Sequence, residues 1–138
     1  MVDDRLSDGV RIAQLLASEI DGNRSRLRHL RVTDADPDVD PTTDGALAYR
    51  VVRAPDVDPG ADADPDADVA PGADVLAEVY VHPDRVRVEF LAALDAVADA
   101  ARKHELRVRP KATTPPRTLV FVEDGAQVKR VLAAFETV

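Results

Sequence analysis

Residues 106–122 read LRVRPKATTPPRTLVFV, and the reading of this stretch decides the fold. Leu106, Val108 and Pro110 alternate with Arg107, Arg109 and Lys111, the period-two signature of a strand with one buried and one solvated face. The solvated face is wholly cationic. Thr118 to Val122, TLVFV, is apolar at nearly every position and is expected in the interior of a sheet or covered on both sides. A proline-bearing loop joins the two strands.

Working towards the amino terminus, Leu91 to His104 is Ala-rich with Leu94, Val97, Ala98 and Ala101 at helical spacing. Before it, LAEVYVHPDRVRVEF reads as a hairpin turning at His82 to Arg85, with Ala77, Val79, Val81, Val86, Val88 and Phe90 facing one way. Ala46 to Ala54 is a further strand, with Leu47, Tyr49 and Val51 facing in and Arg50 out. Asn23 to Val32 carries Arg24, Arg26, Arg28 and Arg31 and ends in a strand with Leu30 and Val32 on one face. Asp4 to Asp21 has helical periodicity, Ser7 or Asp4 standing where a cap belongs and Gly22 at the end. On the carboxyl side, Asp124 followed by Gln127 is a variant capping box opening a third helix, with Val128, Val131, Leu132 and Phe135 as its buried stripe.

The order is therefore α-β-β-β-β-α-β-β-α: an α+β fold, two-layered, with a mainly antiparallel sheet of five to six strands and three helices. At 138 residues the chain is sized for one domain, 1–138. Asp34 to Gly45 is turn chemistry and is expected to be an exposed loop. Pro55 to Asp74 has four prolines, two glycines and seven aspartates with no aromatic residue, so a mobile loop is expected at 55–74.

Asp outnumbers Glu 20 to 6 and Arg outnumbers Lys 15 to 3, with a net charge of -8. The charge is unevenly placed: 12 acidic and 2 basic residues lie from Asp34 to Asp74, against 8 basic and 4 acidic from Ala101 to Val138. No apolar run is long enough to span a bilayer, and the start, MVDDRLSDG, is acidic where a signal peptide is basic, so no membrane association and a cytoplasmic location are expected. The absence of cysteine excludes disulfides, thiolate nucleophiles and cysteine metal sites.

Known catalytic patterns fail one by one. The glycines are never closer than 12 positions, which excludes a dinucleotide-binding turn and a P-loop. His104-Glu105 begins like a zinc-protease helix, but Val108 occupies the place of the second histidine. Ser7, Ser18 and Ser25 lack a nucleophile-elbow context. Asp62, Asp64 and Asp66 fit the first calcium positions of an EF-hand loop, yet Ala67 replaces its glycine and Ala73 its bidentate glutamate. No cofactor and no metal site are expected, and a catalytic triad could arise only by spatial accident among residues far apart in sequence.

If the strand phases are right, one sheet face is sealed by helices and the other collects His29, Arg31, Arg50, Glu78, Tyr80, His82, Arg85, Arg87, Arg107, Arg109 and Lys111. Such a face suits phosphates, with Tyr80 available to stack on a base. Glu78 and Glu89 are equally placed to pair with neighbouring arginines across strands. Tyr49 and the three phenylalanines fall on inward phases. Two function classes follow: a noncatalytic protein-interaction module, binding itself as a homodimer or another protein, and a binder of nucleic acid or another polyanion through the basic face. VYVHPDRVRV and LRVRPKATTPPRTLVFVEDGAQVKRVL resemble small acidic proteins of halophilic archaea, a resemblance that implies a lineage and no activity. The element order is also similar to that of the secretion chaperones, which are small homodimeric protein binders.

Overall fold

The computed structural model describes residues 8–22, 27, 29–33, 35–36, 38–53, 75–113 and 116–138. Three helices, α1 (Gly9–Gly22), α2 (Leu94–Lys103) and α3 (Gly125–Phe135), and six strands, β1 (Leu30–Thr33), β2 (Ala46–Arg53), β3 (Val75–Val81), β4 (Val86–Phe90), β5 (Arg107–Lys111) and β6 (Arg117–Val122), follow the order α-β-β-β-β-α-β-β-α. The strands form one sheet, β1-β2-β3-β4-β6-β5, and every pairing is antiparallel. The fold is α+β. The expected segment 55–74 lies outside the described residues, as do Ser7, Asp4, Arg24, Arg26 and Arg28.

The three helices lie on one face. Ile12, Leu16 and Ile20 of α1, Val97 and Ala101 of α2, and Val128, Val131 and Phe135 of α3 join Val79, Val81, Val86, Val88, Phe90, Val120 and Val122 in a single apolar core. Phe90 and Phe135 meet ring to ring at 4.8 Å between centroids, tilted by 56°, a geometry that suits their quadrupoles. α1 is fixed to the sheet by a polar contact as well: the buried Tyr49 hydroxyl donates to the Ala13 carbonyl at 2.7 Å. Burial, with the charge of Asp21 adding to it, raises the Tyr49 pKa, so the hydroxyl remains a donor.

Helix ends follow local chemistry. Asp8 caps α1, its Oδ1 accepting from the amides of Val10 and Arg11 at 3.0 and 3.5 Å. Gly9 then rests against the backbone of the β3–β4 turn, where a Cβ would collide with the carbonyls of His82 and Arg85. At α3 the capping box forms: Asp124 accepts from the Gln127 amide at 2.9 Å, and the Gln127 side chain accepts from the Glu123 amide at 2.7 Å. α2 ends in a Schellman arrangement, the Leu106 amide reaching Ala101 and the Glu105 amide reaching Arg102. Glu105 adopts φ 61 there, where glycine is usual.

Two readings of strand phase need correction. Leu47 does not face the core. A register shift between Leu47 and Tyr49 places Leu47 opposite Tyr80 on the open face while Tyr49 stays in. Phe121 also faces out, opposite Arg87 on one side and Arg107 on the other. The continuous apolar run of β6 therefore reflects two apolar faces at the sheet's flank, with β3 and β4 at its centre. The 34–45 loop is exposed at most of its described residues, as expected, and is tied to the sheet where the Asp36 amide donates to the Ala48 carbonyl, the Thr42 amide donates to the Val81 carbonyl, and Val39 packs on the core.

Candidate functional site: the open face of the sheet

No described helix covers the face opposite the core. Because directly opposed residues in antiparallel strands share a face, the register writes it out in rows. One row runs Arg50, Glu78, Glu89, Leu119, Arg109, and the next runs Leu47, Tyr80, Arg87, Phe121, Arg107. Two glutamates thus stand directly opposite each other, an arrangement that is repulsive unless a cation intervenes. Arg117 of β6 is that cation. Its Nη1 donates to Glu78 at 2.6 Å and to Glu89 at 3.0 Å.

The pair is flanked on both sides. Arg50 Nε reaches Glu78 Oε2 at 3.0 Å, Arg87 Nε reaches Glu89 Oε2 at 2.8 Å, and the Tyr80 hydroxyl donates to Glu78 Oε1 at 3.1 Å. The Arg87 guanidinium lies 4.7 Å from the Tyr80 ring centroid. Both carboxylates are buried, Glu89 to 3% exposure and Glu78 to 8%. Burial pushes the Glu78 pKa up, but hydrogen bonds from Arg50, Arg117 and Tyr80 and the charge of Arg117 outweigh it, and the pKa is lowered. Burial and the Glu78 charge raise that of Tyr80. Glu78 is therefore a fixed anion, unsuited to hold a proton at neutral pH.

At one end of this network the loop before β2 folds onto the face. His82 Nδ1 lies 3.0 Å from the Thr43 carbonyl, so it must carry the proton; Nε2, 3.2 Å from Arg87 Nη1, then accepts. Arg87 Nη1 also donates to the Asp44 carbonyl at 3.0 Å. Gly45 follows at φ 94, and a Cβ there would press on Arg87 and His82 at 3.1 Å, so glycine serves both the turn and the close approach. Burial foremost, together with Arg87 and Arg85, lowers the His82 pKa against the opposing effects of the Thr43 carbonyl and Asp84.

The residues anticipated as one basic surface thus divide. Arg50, Tyr80, His82 and Arg87 are tied into the network. Arg31 pairs opposite Val52 on β1, and His29 stands just before that strand; β1 lies five strand spacings, about 24 Å, from β5. Arg107, Arg109 and Lys111 are exposed on β5, and their side chains make no hydrogen bond or ion pair to a described residue. Arg85 joins this side, its guanidinium 5.8 Å from the Phe121 ring centroid and its buried Nε without a hydrogen-bond partner. Sequence reasoning missed Arg117 and Phe121. Their parity within 117–122 was the available signal, since Arg117, Leu119 and Phe121 share a phase opposite to Thr118, Val120 and Val122.

Among the described residues no group of three or more His, Asp or Glu is placed to hold a metal ion, and no described helix is long and apolar enough to cross a membrane. A profile described as a family of unknown function (DUF7993) matches residues 1–138, and the chain belongs to that family. No curated protein and no solved structure matches it.

Proposed function

We propose that this member of the DUF7993 family is a noncatalytic binding module that engages an anionic polymer through the β5 side of its open face. The observation that carries the reading is the contrast in pairing: arginines at the centre of the face are neutralised by Glu78 and Glu89, whereas Arg107, Arg109 and Lys111 are exposed and unpaired by described residues. Three cations without a partner among the described residues, in a chain of net charge -8, favour an external anion as their partner. Glu78 is held ionised, which supports a structural and not an acid–base role for it.

Pairing with another protein through the outer edge of β5 is the weaker reading. Pro110 removes an amide from that edge, and flanking cations on an edge strand oppose strand addition.

The test is titration with inorganic polyphosphate across a series of salt concentrations. Binding should weaken with a log–log slope near 2 to 3, about one counterion per neutralised charge. Replacing Arg107, Arg109 and Lys111 together by Gln should abolish it. Absence of binding at low salt, or binding indifferent to the triple replacement, would refute the proposal.

A further inference from the structure

Three cations alone explain attraction to any polyanion, but they do not explain Phe121. This aromatic ring lies on the open face in the same row as Arg107 and Arg87, half-buried, with the Arg85 guanidinium over it. An apolar ring placed outward among arginines gains little from water and is available to a flat apolar partner. The Arg85 side chain has no hydrogen bond or ion pair to a described residue, and its guanidinium lies over the ring, 5.8 Å from the centroid. A guanidinium plane and an aromatic ring, here adjacent, are the two surfaces on which unpaired bases stack.

The cations stand in the right relation to that platform. Arg107, Arg109 and Lys111 occupy alternate positions of one strand, about 6.8 Å apart, so they form a row and do not converge on one group. The row flanks Phe121 and Leu119 directly across the β5–β6 register. We infer, on the basis of the polyanion reading above, that the polymer is a single-stranded nucleic acid whose phosphates run along β5 while a base stacks at Phe121 and Arg85. A duplex hides its base faces, polyphosphate has none, and an acidic peptide offers charge without a stacking surface. Stacking is tolerant of base identity, so little sequence preference is expected.

The chain contains no tryptophan, which supplies a direct reporter. In a Phe121→Trp variant the indole is the only one present. Oligothymidylate of about 12 nucleotides, within the site size of comparable single-strand binders, should quench and shift its emission. Polyphosphate of matched charge should bind without quenching. In the otherwise unaltered protein the oligonucleotide should bind about tenfold more tightly than polyphosphate or polyaspartate, a margin that Phe121→Leu removes while leaving polyphosphate affinity in place; thermal melting confirms that each variant is folded. If polyphosphate or polyaspartate binds as well as the oligonucleotide, or the Trp emission ignores the oligonucleotide while it binds, the stacking inference is overturned and the polyanion reading stands. If no polymer binds at low salt, both fall together.

Discussion

The centre and the β5 margin of the open face carry the same residue type in opposite circumstances. Arg50, Arg87 and Arg117 are each within 3.0 Å of a buried carboxylate, whereas Arg107 and Arg109 are exposed on an edge strand with no described partner. An arginine on an open sheet face is thus no evidence of binding by itself. What distinguishes the two groups is what neighbouring strands put within reach: Glu78 on β3 and Glu89 on β4 lie within reach of Arg50, Arg87 and Arg117, while β6 presents Leu119 and Phe121 to Arg109 and Arg107 of β5.

The largest expected effect comes from breaking the centre. Glu89→Gln keeps the shape of the side chain but leaves Arg87 and Arg117 short of one negative charge. The expected loss is about 3 kcal/mol of unfolding free energy, the low end for removing one member of a buried pair because those arginines keep partial exposure. Denaturant unfolding measures it. A loss under about 0.5 kcal/mol would mean that the network is ornamental and that the centre resembles the margin.

A smaller effect sharpens the comparison by pH. The His82 pKa is lowered in the fold, so the unfolded chain takes up the proton first; stability is complete above about pH 6.5 and falls as pH drops towards the folded value. Protonation would also set two donors, His82 Nε2 and Arg87, against each other. Glu78 acts in the same direction at lower pH: its contribution is present above the unfolded carboxylate value of about 4.3 and is lost as pH falls through its lowered folded value. Unfolding free energy should therefore decline on acidification, beginning below about pH 6.5, and His82→Gln should flatten the first part of the decline. No change in that part would show that His82 is not held neutral by burial and the Arg87 charge.

Most of the fold was legible because it rests on local periodicity. The alternation in Val75–Val81 and Val86–Phe90 gave the central hairpin, and Asp124 with Gln127 marked the start of α3 from four residues. The errors arose where phase depends on a partner strand. Nothing within Ala46–Arg53 announces the register shift that turns Leu47 out, because the shift is defined against β3. Phe121 was assigned inward because a wholly apolar run has no polar residue to set its parity; Arg117, at the head of the same strand, carried that information. The site was half legible. Cross-strand pairing of Glu78 and Glu89 with arginines followed from alternation, but the choice of Arg117 as the bridging cation required the β4–β6 register. The contact of Asp44 and Thr43 with Arg87 and His82 joins positions about 40 residues apart through turn geometry that composition does not encode.

The central claim is that the margin serves binding and the centre serves the fold, and the most direct measurement is the unfolding free energy of the Arg107→Gln/Arg109→Gln double variant beside that of Glu89→Gln. Since neither margin arginine has a described partner to lose, the double variant should remain within about 0.5 to 1 kcal/mol of the unaltered protein, as surface replacements do, while Glu89→Gln falls well below both. A double variant destabilised as much as Glu89→Gln would contradict the account, because the margin arginines would then be structural members of the sheet and unavailable to any ligand.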